Sequence, residues 1–208
     1  MMQPLLKDMG RGFSNPTLCS QAVFRQSLVA LSLPGQAQTI DLSLSSPAIQ
    51  VPQNAHAAAA ALLLALLDQD CKVWLSSGFA SSNAGAWLRF HTGCSLVTDA
   101  SQADFVWVAH AQELPVFETL AQGNAQYPEQ SATCVVQVLD FDTAPSADAW
   151  TLTGPGIHGE GHLKLVGLAD NFLTERLQSQ VHAPCGLDFF FTHNDSLIGL
   201  PRSTQVKD

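Results

Sequence analysis

Four side chains in this sequence combine charge with a place at the end of a predicted element. Arg89 and His91 stand in Leu88-Arg89-Phe90-His91-Thr92-Gly93, where a glycine marks the close of a helix. Arginine offers a planar fork of donors suited to phosphate, and histidine exchanges a proton near neutrality. In a chain with 9 Lys plus Arg against 18 Asp plus Glu, this pair reads as a candidate anion site. The competing reading pairs Arg89 with an aspartate and leaves His91 to favour the helix C-terminus through the dipole. Asp188, in Gly186-Leu187-Asp188, and Arg202, in Pro201-Arg202-Ser203-Thr204, stand at the ends of successive predicted strands. Arg202 with its two following hydroxyls could hold a phosphate or a carboxylate. Equally, Asp188 and Arg202 could form a structural ion pair.

Other constellations carry less. Thr153-Gly154-Pro155-Gly156 resembles a phosphate loop only superficially, because the Lys and Ser/Thr that open a P-loop helix are missing. His158, Glu160 and His162 alternate with glycines, so they cannot share one helical face as a zincin motif requires, and no metal is expected. The cysteines (Cys19, Cys71, Cys94, Cys134 and Cys185) are scattered, odd in number and free of CxxC pairs. That pattern fits neither a disulfide framework nor a zinc site and points to a reducing compartment. With no cationic segment leading into an apolar run at the N-terminus, the cytoplasm is expected.

The formal net charge of −9 argues against binding nucleic acid or an anionic membrane surface, both of which need clustered cations. Charged residues make up 13% of the chain, against about 25% in ordinary domains. With 46% hydrophobic residues, this implies that a partner covers some apolar surface.

The elements that must position these residues are organised around residues 57–67, an unbroken run of Ala and Leu. Both are strong helix formers, and the run has no polar face, so the helix should be covered on all sides. Asn54 is a candidate N-cap, and Val73-Trp74-Leu75 follows as a strand. Upstream, Asn15 and Pro16 open a helix, and residues 36–42 alternate as a strand would. Downstream, Ser81 or Ser82 caps the helix carrying Arg89, and residues 105–108 form a second strand. Residues 115–121 read as a short helix closed by Gly123. Residues 132–139 form a central strand, followed by strands at 150–153 and 162–166 and a helix at 171–180. A hairpin then turns at His193-Asn194-Asp195. Helix and strand alternate early and strands pair late, which predicts a three-layer α/β/α domain with a mixed sheet over residues 15–208. Residues 1–14 read as a loose arm.

Together these pieces resemble the PhnH family, the H subunit of the bacterial carbon–phosphorus lyase machinery. The resemblance rests on Phe24-Arg25, Ala30-Leu31-Ser32 with Pro34-Gly35, Ala65-Leu66-Leu67-Asp68 and Val73-Trp74-Leu75. It continues through Leu88 to Gly93, Gly123, Tyr127 to Thr133, Leu152 to Ile157, Gly186-Leu187-Asp188 and Pro201 to Thr204. It implies a fold similar to the large domain of pyridoxal-phosphate-dependent transferases without that cofactor. Lys7, Lys72, Lys164 and Lys207 agree, since none lies in an obvious Schiff-base loop. It also implies homodimers in isolation and a core complex with the G, I and J subunits. The implied reaction moves methylphosphonate onto the ribose C1 of ATP with release of adenine. The clustered cysteines that the later iron–sulfur step requires are missing here. Cys185 and Ser203 depart from the family's usual residues, conservatively in volume, and no catalytic residue carries over. The alternative is a stand-alone phosphate- or nucleotide-binding protein or enzyme that uses Arg89, His91 and Arg202.

Overall fold

Apolar residues on both faces of the strands build the centre of the molecule. The structure, a computed structural model, describes residues 9–207. In β2 (Lys72–Leu75), β4 (Phe105–Val108), β5 (Thr133–Gln137) and β9 (Asp188–His193), successive side chains face opposite ways. Val73, Trp107, Val135 and Phe190 enter one core. Val106, Cys134, Val136, Phe189 and Phe191 enter the other. Strands of this kind need cover on both sides, and these four run parallel in the middle of the sheet. β3 (Ser95–Leu96) lies parallel beyond β2, while β10 (Ser196–Leu200) and β1 (Gln38–Thr39) join antiparallel beyond β9. The order is β1-β10-β9-β5-β4-β2-β3, so the sheet is mixed, as the sequence predicts.

One face of the sheet carries α1 (Pro16–Ser32), α2 (Ala57–Leu66) and α3 (Ala84–Thr92). The opposite face carries α4 (Phe172–Ser179) together with a small antiparallel sheet. That sheet comprises β6 (Asp140–Asp142), β7 (Trp150–Thr153), β8 (Gly161–Val166) and β11 (Gln205–Lys207), in the order β11-β7-β8-β6. The third layer is therefore part helix and part sheet.

Ala58 to Leu63 of α2 are wholly inaccessible, as their composition requires. α1 and α3 flank the helix, and Phe13, Leu42 and Ile49 close over the same core. Residues 9–14 lie against this structure. The Arg11 N–H donates to Gln50 Oε1 (3.0 Å), the Gln50 N–H donates to Arg11 O (2.8 Å), and the Ser14 N–H donates to Ser45 Oγ (3.1 Å). Residues 1–8 of the expected arm lie outside the described residues.

Local chemistry explains where the elements begin and end. The Asn15 side chain accepts from the Leu18 N–H, Pro16 opens α1, and Gly93 ends α3 in the left-handed conformation (φ 78°). Asn54 does not cap α2. It is itself left-handed (φ 66°) and donates to Gly78 O (3.3 Å), while His56 holds the cap position. The Ala58 N–H is satisfied instead by Asn194 O (2.9 Å), at the turn of the β9–β10 hairpin. The strand expected at 36–42 shortens to two residues, because the Asp41 carboxylate accepts from the Ser43 N–H and starts a 3-10 turn. The short helix expected at 115–121 is a 3-10 turn at Phe117–Thr119.

Gly199 fixes how closely α1 can approach the sheet. A Cβ at this position would lie 2.5 Å from the carbonyl oxygen of Ala30. Gly199→Ala should therefore push α1 outward and cost roughly 1–3 kcal/mol. A lowered urea midpoint with an unchanged slope is the expected result, and an unchanged midpoint would show that α1 moves freely.

Candidate functional site

The four charged candidates lie at the N-terminal edge of the parallel strands. Asp188 opens β9, and Arg202 follows β10, which runs back to the same edge. Arg202 Nε and Nη2 both donate to the Asp188 carboxylate (Nε to Oδ2 3.1 Å), the Arg202 N–H donates to Asp188 Oδ1 (2.7 Å), and Nη1 donates to Pro128 O. The guanidinium is engaged along its length, in the ion-pair geometry that is one of the two sequence readings. Arg89 and His91 sit in the last turn of α3, whose end abuts Gln69 just before β2. β5 and β4 separate β9 from β2, so the two pairs are on the order of 14 Å apart across the sheet at least. The fold does not bring them together. His91 Nε2 meets Gly10 O (3.2 Å), and the ring packs edge-on to Trp87 and Phe90. The exposed Arg89 guanidinium makes no hydrogen bond or ion pair with a described residue.

Behind the Asp188–Arg202 pair lies a residue with no signal in the sequence beyond its place on α4. Arg176 is 1% exposed. It donates from Nη1 to Leu187 O (3.2 Å) and from Nη2 to Pro201 O (2.6 Å) and Thr204 O (3.0 Å). Burial lowers its pKa to about 10, opposed by the charge of Asp188 and helped by that of Arg202. Its donors satisfy carbonyls where β9 begins and β10 ends, so it acts on structure.

The C-terminal edge of the strands is where an α/β sheet gathers ligands, above all where successive connections leave in opposite directions. Here β2 connects outward through α3 to β3, and β4 connects the other way to β5. In that crevice the Glu113 carboxylate accepts from Ser76 Oγ (2.6 Å), Ser77 Oγ (2.6 Å) and the Gly78 N–H (2.9 Å). Burial works against its charge, but these three donors outweigh burial and hold the carboxyl below its ordinary range. Ser76 Oγ in turn accepts from the Ala109 N–H (2.9 Å), so the ends of β2 and β4 are clasped.

Beside this clasp the buried Gln137 ties three segments together. Its Oε1 accepts from the His56 N–H (2.6 Å), and its Nε2 donates to Asn54 O (2.7 Å) and Ala109 O (3.3 Å). His56 Nδ1 meets Thr192 O (2.8 Å), and its ring lies edge-on to His193. Burial lowers the His56 pKa, with the Thr192 carbonyl opposing and His193 reinforcing. Sequence reading passed over His56, Gln137 and Glu113 because each owes its role to partners far along the chain.

Two sizeable cavities adjoin these networks. One, of about 310 Å³, is lined by Asn54, His56, His110, Gln112, Gln137 and Leu139 among others. The larger, of about 550 Å³, lies between the 3-10 turn at Phe117 and α4, with Glu118, Glu175, His182 and Cys185 in its wall. Neither is lined by a lysine or an arginine. Cys134 and Cys94 are buried thiols whose pKa values are raised by burial, which suits packing and opposes nucleophilic use.

The model of the family described as bacterial phosphonate metabolism protein (PhnH) matches residues 11–207. This chain belongs to the PhnH family. It is 29% identical over 195 residues, 94% of each chain, to the alpha-D-ribose 1-methylphosphonate 5-triphosphate synthase subunit PhnH of Rhizobium meliloti (strain 1021). It is 27% identical over 186 residues to the putative C-P lyase subunit protein HtxG of Stutzerimonas stutzeri, covering 89% of this chain and 85% of that one. The PhnH match takes in both strand edges, the Arg176 anchor and the His56 cavity.

Asp188→Asn leaves Arg202 with a weakened partner at a site where about a fifth of each side chain stays exposed. A fully buried pair would lose about 3–5 kcal/mol, and the residual solvent reduces the expected loss to roughly 2 kcal/mol. An unchanged denaturation midpoint would mean that the pair contributes no stability. His56 and His91 are both held below the ordinary 6.5, chiefly by burial. The unfolded chain then binds their protons more readily, so their contribution is present above about pH 6.5 and is lost as pH falls through the folded values. Melting temperature should fall between pH 7 and 5, above the window in which Glu113 would protonate. A flat profile there would contradict the burial of both rings.

Proposed function

We propose that this chain is the H-type subunit of a carbon–phosphorus lyase core complex. In this reading it supports synthesis of alpha-D-ribose 1-methylphosphonate 5-triphosphate from ATP and methylphosphonate. The carrying observation is the family match over residues 11–207, joined by the named synthase subunit aligned over 94% of both chains. The chemistry of the surface supports an assisting role. A triphosphate needs cations around it, and both cavities are lined without lysine or arginine. Arg202 is committed to Asp188 and Pro128, while the exposed Arg89 donates to no described residue. Arg89 is thus the one of the four charged candidates best placed to meet an anionic ligand or partner.

The partners in this reading are a second copy of the chain when it is isolated, and the G, I and J subunits in the cytoplasm. The low charge supports it, as do Leu18, Phe24, Leu28 and Val29, four apolar side chains exposed on α1, whose only charged residue is Arg25. The test is co-expression with the G, I and J subunits followed by size-exclusion chromatography. Joint elution with them, and a dimer when the chain is alone, is the expected result. A monomer that elutes apart from all three would overturn the proposal.

A further inference from the structure

The cavity at the C-terminal edge of β4 and β5 is lined by uncharged polar and apolar residues. His56, His110, Asn54, Gln112 and Gln137 supply its polar groups, and no lining residue carries a fixed charge. Its volume of about 310 Å³ is at the lower end of small-molecule sites, which span roughly 300–1,000 Å³.

Most of these polar groups are already committed. The Gln137 amide is used at both ends, Asn54 Nδ2 donates to Gly78 O, and Gln112 Nε2 donates to Gly167 O (2.6 Å). The two imidazoles are not: the exposed His110 ring has no hydrogen bond to a described residue, and His56 is the one whose ring is fixed in orientation. Its Nδ1 faces a carbonyl, which can only accept, so Nδ1 carries the proton and Nε2 keeps its lone pair. The ring is held from two sides, by Thr192 through Nδ1 and by Gln137 through the His56 backbone N–H. The Nε2 acceptor is therefore preset before any ligand arrives. Around it stand the titratable His193, in edge-on ring contact, and His110 at the exposed end of the lining.

We propose that this cavity binds an uncharged, planar nitrogen heterocycle of nucleobase type, with a ligand N–H donating to His56 Nε2. Three features select that class. A neutral acceptor wants a donor, a lining without cations gives phosphate or phosphonate nothing to pair with, and two imidazole rings in the lining supply aromatic surface for a flat ring. The site rests on its own geometry. Joined to the proposed function, it would receive the base of the nucleotide and leave the phosphates to another subunit. Binding to the isolated chain does not depend on assembly with the G, I and J subunits, so the two readings can fail separately.

The experiment is a titration of the isolated chain with adenine and, separately, with inorganic tripolyphosphate. Calorimetry and the imidazole nitrogen resonances of His56 are read together. Saturable adenine binding that shifts the His56 Nε2 resonance, with tripolyphosphate leaving it unmoved, is the expected result. Affinity should also fall as His56 protonates, because Nε2 then turns from acceptor to donor. His56→Gln should bind adenine roughly tenfold more weakly, the equivalent of one good hydrogen bond. If that variant misfolds, the wild-type resonances still decide. No saturable binding of adenine, binding with His56 unmoved, or a His56 shift caused by tripolyphosphate instead would each overturn the proposal.

Discussion

Helix α2 has no side that water would tolerate, and the rest of the chain is arranged to satisfy it. Ala58 to Leu63 are fully buried, so the sheet, α1, α3 and the strap of residues 9–14 and 42–50 must all close on one helix. At about 25 cal/mol per Å² of apolar surface, such burial is the largest favourable term available to the chain. It also sets a geometric demand. A helix enclosed in apolar walls needs its first N–H groups satisfied from within the protein, because water cannot reach them. The Ala58 N–H finds Asn194 O, and the His56 N–H just before the helix finds the side chain of the buried Gln137.

That demand links the core to the two edges of the sheet. At the C-terminal edge, Gln137, Asn54, His56, Thr192 and Ala109 form one hydrogen-bonded set that locks the entry to α2 onto β4, β5 and β9. Partly satisfied networks in a low-dielectric setting are costly, so this one is rigid by necessity. The Glu113 clasp on Ser76, Ser77 and Gly78 extends it to β2. At the opposite edge, Arg176, Asp188 and Arg202 join α4 to the starts and ends of β9, β10 and β11. One edge is thus closed by an ion pair and a buried arginine, while the other sets the Glu113 clasp beside a cavity lined by neutral groups.

The sequence made visible what depends on neighbours along the chain. The apolar run of α2, the continuous apolar strands β4 and β5, the Asn15–Pro16 start of α1 and the Gly93 stop of α3 are all local patterns, and all are present. The α/β class with a mixed sheet followed from them. Asn54 misled because its left-handed backbone, a tertiary requirement, took precedence over its capping propensity. The third layer was only half legible, since β11 pairs with β7 from about 50 residues further along the chain. Of the candidate site residues, Asp188 and Arg202 were correctly seen as possible partners, because successive strands bring them to one edge. His56, Gln137 and Glu113 could not be seen, because their partners lie 81, 83, 136 and 36 residues away.

Membership of the PhnH family and the shape of the chain lead to one account. An α/β body whose two sizeable cavities are lined without lysine or arginine, and which exposes apolar residues on α1, is better suited to completing an assembly than to activating a triphosphate alone. The measurement that tests this most directly is formation of ribose 1-methylphosphonate 5-triphosphate from ATP and methylphosphonate. It should be followed by phosphorus NMR with the partner subunits, with and without this chain, and with this chain alone. The account predicts product from the full set, a loss of most activity when the chain is omitted, and none from the chain alone. Turnover by the isolated chain, or an unchanged rate on omission, would contradict it.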